Sequence, residues 1–148
     1  MRAIALFSLT VLFACSAAQA ADPPKAAPAR SKAPPNARVV IISPAKGEKV
    51  GQDVLVKFGA KNITVAAATD TTPGTGHHHL LIDQQDLPPL DAPIPNDATH
   101  RHYGKGQTED TIHLEPGDHT LQLDFADAAH MQFDPPIVSK RITIHVLP

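Results

Sequence analysis

Apolar and polar residues alternate along much of the chain after residue 37, with the period of β-strands that bury one face. The clearest cases are 53–58 and 119–125, where alternate positions hold Val, Leu or Phe. The same alternation, or a β-branched run, predicts further strands over 38–43, 62–66, 77–83, 111–114 and 138–146. Turn-forming residues separate these segments, and no helical period of useful length accompanies them. We therefore predict an all-β domain over 38–148, an antiparallel, immunoglobulin-like β-sandwich.

The first 20 residues have a different character. A short basic start, Met1-Arg2-Ala3, precedes an apolar run over 4–14 and the small-residue site Ala18-Gln19-Ala20. This order is typical of a secretory signal peptide, and the run is shorter than the roughly 20 apolar residues that span a bilayer. We predict a signal peptide over 1–20, cleavage near Ala20, a periplasmic or secreted protein, and no membrane span.

A second processing signal overlaps the first. Cys15 ends a segment that resembles the lipobox of bacterial lipoproteins, in which the cysteine carries the lipid. Phe13 fits that pattern poorly, so a lipid anchor at Cys15 is the less favoured alternative to soluble release. Cys15 is the only cysteine, and cleavage near Ala20 leaves the mature chain without a disulfide or a thiolate ligand.

Residues 21–37 connect the signal segment to the predicted domain. They are rich in Pro and Ala, include basic side chains and show no apolar periodicity. A segment of this composition buries too little apolar surface to fold by itself. We therefore predict a disordered linker or tether over 21–37.

Charge and aromatic content narrow the possible functions. Lys and Arg number 13 against 15 Asp and Glu, which argues against the basic surface of a nucleic-acid-binding protein. Aromatic residues are only 4% of the chain, too few for a surface on which bases or sugars stack. Neither the G-x-S-x-G motif of hydrolases nor a phosphate-binding P-loop is present. Nothing in the sequence requires an enzyme, and we lean towards a non-catalytic protein.

Histidine is the residue type that calls for a chemical explanation, because the chain has nine. Three are consecutive at the start of a predicted strand, so alternation sends His77 and His79 to one face and His78 to the other. His100 and His102 repeat the spacing of alternate positions. Neutral imidazole is a good ligand for Zn(II) and Cu(II), and two rings on one strand face can reach the same ion.

Four motifs of the predicted domain contain histidine: GTGHHHLLID at 74–83, HYGKGQTE at 102–109, PGDHTLQL at 116–123 and DAAH at 127–130. In these motifs, and over the stretch from Ser43 to Val146, the chain resembles the uncharacterised bacterial family DUF4399. The resemblance implies an exported bacterial protein with a small β domain, and it supplies no established activity. The histidines of the family pattern correspond to His77, His79, His102, His119 and His130.

We take these five histidines as candidate metal ligands and expect them to converge at one end of the domain. His102 closes a predicted loop and His119 opens a predicted strand, and binding residues gather at such positions on a rigid scaffold. The favoured hypothesis is a non-catalytic binding module that holds copper or zinc. One alternative is a structural or interaction domain whose histidines form a metal-free hydrogen-bond network. A further alternative is a metal-dependent enzyme, which needs an open coordination position.

Overall fold

The computed structural model describes residues 29–148. Its strands, in chain order, are β1 (Arg38–Ser43), β2 (Lys49–Val50), β3 (Asp53–Lys61), β4 (Thr64–Val65), β5 (Thr75–Ile82), β6 (His100–His102), β7 (Glu109–His113), β8 (Gly117–Ala126), β9 (Gln132–Val138) and β10 (Ile142–Val146). The all-β prediction is confirmed, since the described range contains no helix and so none that could cross a membrane. The predicted signal peptide over 1–20, with Cys15, and the start of the predicted linker lie outside the described residues.

The strands form two sheets. The smaller sheet has three antiparallel strands in the order β1-β3-β7. The larger sheet has seven strands, with the order β2-β10-β8-β5-β4 and with β6 beside β5 and β9 beside β8. Its pairs are antiparallel except for the short parallel pairs β2–β10 and β4–β5.

The inner faces of the two sheets share one hydrophobic core. Val56 and Phe58 project into it from β3 of the smaller sheet, and Leu121, Leu123 and Phe125 project into it from β8 of the larger one. These side chains are at most 2% exposed. Burial of such side chains contributes about 1.5–3 kcal/mol each, which explains why the alternation in β3 and β8 is so regular.

Strand β5 is unusual because its residues are buried on both faces. Leu80 contributes to the core, whereas Leu81 points to the opposite, outer face and is also buried. The long loop over 84–98 is anchored beside that outer face. Two hydrogen bonds hold the loop there. Gln132 Nε2, on β9, donates one of 2.8 Å to the carbonyl oxygen of Pro88, and the loop residue Ile94 donates one of 2.8 Å from its backbone N to the carbonyl oxygen of His130.

Most predicted strands are present, with β1 at its predicted bounds, but two segments differ. The predicted strand over 138–146 is two strands, since Val138 ends β9 and β10 begins at Ile142. The sequence did not predict β9 because Pro135 and Pro136 interrupt it, and proline is tolerated there because β9 lies at a sheet edge. Residues 100–102, predicted as the end of a loop, form β6.

The described part of the predicted linker is ordered against β9. Arg30 Nε donates a 3.0 Å hydrogen bond to the carbonyl oxygen of Gln132, and Ala33 N donates one of 3.0 Å to that of Asp134. Lys32 forms an ion pair with Asp134. Ordered structure therefore begins before Arg38, and the predicted boundary is wrong because backbone pairing, which apolar periodicity does not reveal, fixes this segment.

Candidate metal centre

Four histidines meet on the outer face of the larger sheet, the face turned away from the core. His77 and His79 both project from β5 on this face, as alternation predicts, and their Nε2 atoms are 3.1 Å apart. Strand β6 runs antiparallel beside β5 and places His102 directly opposite His79. Opposite residues share a face, so the His102 ring joins the other two.

His130 joins them from the turn between β8 and β9. The Asp127 carboxylate shapes this turn, because its Oδ1 accepts hydrogen bonds from the backbone N of Ala129 (2.9 Å) and of Met131 (3.1 Å). His130 has a left-handed backbone, with φ of 60°. Its Nε2 lies 3.2 Å from that of His102. We call His77, His79, His102 and His130 the histidine cluster.

The four rings of the histidine cluster lie close to one another. All pairs of ring centroids are between 4.8 and 6.0 Å apart. Ligand nitrogens of His77, His79 and His102 lie within 4.8 Å of one another, so these three could hold a metal ion. A tetrahedral ion with metal–nitrogen bonds of about 2.0–2.1 Å keeps its nitrogens about 3.3 Å apart. The Nε2–Nε2 distances of 3.1 and 3.2 Å are close to that value.

Burial favours the neutral form of His77, His79 and His102. Burial, followed by the neighbouring imidazoles, lowers the pKa of His77 to about 4 and that of His79 to about 2. The same two causes lower the pKa of His102. Because a metal binds the unprotonated nitrogen of imidazole, protons compete weakly for these rings at neutral pH.

The family model for a domain of unknown function, DUF4399, matches residues 56–147. The chain belongs to the DUF4399 family. The matched stretch contains the whole histidine cluster, and the family description assigns no activity, so the chemistry of the site has to be argued from its own geometry. No curated protein and no solved structure matches the chain.

His119, the fifth candidate ligand, lies elsewhere in the DUF4399 domain. Because β5 and β8 are antiparallel, His77 is opposite Ala126 at the end of β8, about 24 Å along an extended strand from His119. The His119 ring lies instead 2.7 Å from Asp83 Oδ2, through Nδ1, and 2.9 Å from the carbonyl oxygen of Glu115, through Nε2. The expected convergence is therefore wrong for His119, since the start of β8 lies beside the end of β5.

The remaining histidines belong to two other environments. Three of them lie close to a carboxylate through Nδ1: His100 to Asp97 (3.0 Å), His113 to Asp53 (2.8 Å) and His145 to Asp118 (2.5 Å). Together with His119 these are the aspartate-paired histidines. His78 lies in the core, with its ring centroid 4.9 Å from those of both Phe58 and Phe125.

Two glycines of the histidine motifs are explained by close approach. A Cβ at Gly104 would lie 2.2 Å from Cε1 of His102, so only glycine leaves room for that ring. A Cβ at Gly76 would lie 2.4 Å from the carbonyl oxygen of Ala126, the residue opposite His77. These two glycines therefore permit the positions that His102 and His77 take in the cluster.

One member of the cluster lies at a cavity in the surface. His102 lines a cavity of about 420 Å³ whose walls also include Asp97, Arg101, Glu109 and Asp110. Arg101 forms an ion pair with Asp110, so the charges of these two residues offset each other. His102 is less buried than its neighbour His79.

Sequence reasoning missed one polar residue of this face. Asp124 lies opposite His79 on β8 and is fully buried. It alternates with Leu123 and Phe125, a pattern that predicts a solvent-facing side chain. The outer face is covered, so the carboxylate is buried instead. The one sequence signal for Asp124 is its position between Leu123 and Phe125 in a strand of very regular alternation.

Proposed function

We propose that this DUF4399 domain is a non-catalytic module that binds one copper or zinc ion through the histidine cluster. The observation that carries the proposal is the mutual proximity of four imidazoles from three separate segments, β5, β6 and the β8–β9 turn. Imidazole is a ligand that both Cu(II) and Zn(II) accept. All four proposed ligands are imidazoles, and residues 29–148 contain no cysteine that could add a thiolate.

Hydrogen bonds alone do not account for the histidine cluster. Two Nε2 atoms that face each other share one proton, so each such pair uses a single N–H group. The buried Nδ1 atoms of His77 and His79 have no hydrogen-bond partner among the described residues. A network built for stability pairs its buried nitrogens, whereas a ligand set requires nitrogens that face one ion.

Four ligands favour binding over catalysis. A catalytic zinc site commonly has three protein ligands and an open position, whereas four protein ligands fill a tetrahedral shell. The three histidines whose ligand nitrogens lie within 4.8 Å of one another are His77, His79 and His102, and we propose His130, with its Nε2 3.2 Å from His102 Nε2, as the fourth ligand. A metal-dependent enzyme would need one of the four to leave the ion.

We further propose that the domain is an immunoglobulin-like β-sandwich that acts after export, in the periplasm or outside the cell. The two-sheet core supports the first part, and the signal-peptide pattern over 1–20 supports the second. An imidazole site suits an oxidising compartment, since it contains no thiolate to protect. Cell fractionation tests the location: recovery of the intact, unprocessed chain in the cytoplasm would contradict it.

Metal titration of the purified chain tests the binding proposal. We expect one Zn(II) or Cu(II) per chain in competition with a chromophoric chelator. The double variant His77→Ala/His79→Ala should lose this binding, because two of four nitrogens are gone. His119→Ala is the matched control and should bind like the unchanged protein, since its ring lies with Asp83. Binding by the unchanged protein no tighter than that of the double variant would refute the proposal.

A further inference from the structure

Asp124 faces the histidine cluster from the neighbouring strand. In the antiparallel pair of β5 and β8 it is directly opposite His79, so both side chains project from the same face. Side chains in such positions have Cβ atoms about 4.5–5.5 Å apart. Both residues are fully buried.

Three polar atoms of these two neighbours lack partners. Neither carboxylate oxygen of Asp124 has a hydrogen-bond partner among the described residues, and neither does Nδ1 of His79. A buried carboxylate without a partner is costly, and so is a buried ring nitrogen. The chain nevertheless places these groups side by side, which calls for a role beyond packing.

Arg30 does not supply the missing hydrogen-bond partner of the Asp124 carboxylate. Its guanidinium is engaged with the backbone of β9, where Nε donates to the carbonyl oxygen of Gln132, and with the Asp134 side chain 3.8 Å away. No ion pair joins Arg30 to Asp124 among the described residues. The residue directly opposite Asp124 on β5 is His79, whose ring can supply an N–H.

Metal binding determines which nitrogen of His79 carries the proton. When Nε2 gives its lone pair to an ion, the neutral ring keeps its proton on Nδ1 and becomes a donor there. Metal-bound histidines usually donate that other N–H to a carboxylate, a carbonyl or a water molecule, which fixes the ring and strengthens the ligand.

We propose that Asp124 is the positioning residue of the site, accepting a hydrogen bond from Nδ1–H of His79 directly or through one water molecule. The inference rests on the proposed function, because the donor arises when Nε2 of His79 binds an ion. Asp124 does not touch the metal; it holds the His79 ring in the orientation and tautomer that the ion requires.

Gln122 provides a matched control on the same strand and face. It lies opposite Leu81 rather than a histidine, and its Oε1 is also buried without a partner. Its Nε2 donates a 3.0 Å hydrogen bond to the carbonyl oxygen of Ser139. Gln122→Leu therefore removes a buried polar group from this face without removing an acceptor that faces a ligand.

The test compares metal affinity and metal-free stability in four proteins: the unchanged chain, Asp124→Asn, Asp124→Leu and Gln122→Leu. Loss of such an acceptor typically lowers metal affinity about 10–100-fold, and we expect Asp124→Leu to lie in that range and Asp124→Asn near its lower end. Gln122→Leu should leave the affinity unchanged. The thermal midpoints of metal-free Asp124→Asn and Asp124→Leu should not fall, because an unpartnered buried carboxylate is removed.

Nitrogen-15 NMR of the zinc-loaded protein adds a direct readout. Nδ1 of His79 should carry a proton protected from exchange in the unchanged chain and in Gln122→Leu, and lose that protection in Asp124→Leu. If the unchanged chain binds zinc and Asp124→Leu binds it equally tightly, with the His79 proton equally protected, the role of Asp124 is refuted and the metal site stands. If the unchanged chain binds no metal, the proposed function fails and this inference fails with it.

Discussion

The histidine cluster and the aspartate-paired histidines place one residue type in two opposite settings. In the cluster each ring nitrogen that is engaged faces another imidazole, as in the 3.1 Å approach of His77 and His79. In the second group Nδ1 faces a carboxylate, as in the 2.7 Å approach of His119 and Asp83. The cluster lies on the covered face of the larger sheet, whereas the pairs lie at the domain surface.

His102 of the histidine cluster and His119 of the aspartate-paired group have pKa values shifted in opposite directions. Burial and neighbouring imidazoles lower the pKa of His102. For His119, burial lowers the pKa, but the hydrogen bonds to Asp83 and to the Glu115 carbonyl, with the charge of Asp83, outweigh it and raise the pKa overall. The spacing of histidines in the sequence therefore does not distinguish a candidate metal ligand from an ion-pair partner. The distinction depends on which atom lies opposite the ring nitrogen in the folded chain.

Acid should unfold the metal-free protein through its buried histidines, and this is the largest effect we expect. The pKa is about 4 for His77 and for His78 and about 2 for His79, against 6.5 for an ordinary histidine. The unfolded chain therefore takes up protons first, and stability present above pH 6.5 is lost as the pH falls towards 4. Each unit of pKa corresponds to about 1.4 kcal/mol, so several kcal/mol are at stake.

Asp124 works against this loss, because burial raises its pKa to about 7 and protonation in acid then favours the folded chain. One such group opposes three histidines, so the net change remains a loss. Urea denaturation between pH 7 and pH 4 measures it. His78→Leu, which removes two unpartnered nitrogens from the core, should be less sensitive to acid. Equal stability of the unchanged protein at both pH values would contradict the account.

Gly104→Ala should have the next largest effect, which is a weaker affinity for the metal ion. The new Cβ would overlap the His102 ring at 2.2 Å from Cε1, so the ring must leave its place in the cluster. We expect a loss of affinity of about tenfold or more, which is 1.4 kcal/mol of binding free energy. Gly51→Ala is the control, because a Cβ there meets nothing within 4 Å. Equal affinities of the two variants in a chelator competition would show that His102 is not a ligand.

His119→Ala should lower stability and leave metal affinity unchanged. The His119 side chain is 17% exposed and joins the end of β5 to the turn before β8 through Asp83 and the Glu115 carbonyl. Loss of these hydrogen bonds should reduce the free energy of unfolding by about 1–2 kcal/mol. Thermal or urea denaturation measures the change. A loss of metal affinity in this variant would return His119 to the ligand set.

Asp53→Asn should have the smallest effect. Its partner His113 is 60% exposed, and the Asp53 side chain is 79% exposed, so solvent screens their attraction. We expect no measurable change in the thermal midpoint or in metal affinity. A clear loss of stability would show that the surface pairs contribute more than their exposure allows.

Alternation along the chain was enough to place His77 and His79 on one face of β5 and His78 on the other. It could not show which face a loop covers, so it gives no sign that Asp124, on the outer face of β8, is buried. The misplacement of His119 has a similar cause. Positions at strand starts are known from sequence, but which strand ends meet depends on the pairing of β5 with β8.

His130 illustrates what a family pattern adds to physical reasoning. Nothing in the periodicity of the chain singles out this residue, because it lies in a turn. Its position depends on a left-handed backbone and on the Asp127 carboxylate, which are local features that bring a distant ring to β6. The motif could indicate the residue, and only the fold could bring it to His102.

X-ray absorption at the zinc edge of the loaded protein tests the central claim most directly. We expect one zinc per chain with four imidazole nitrogens at about 2.0–2.1 Å. His130→Ala should show three nitrogens and a replacement oxygen. A first shell made largely of oxygen, or a spectrum unchanged by His130→Ala, would contradict the assignment of the four-histidine site.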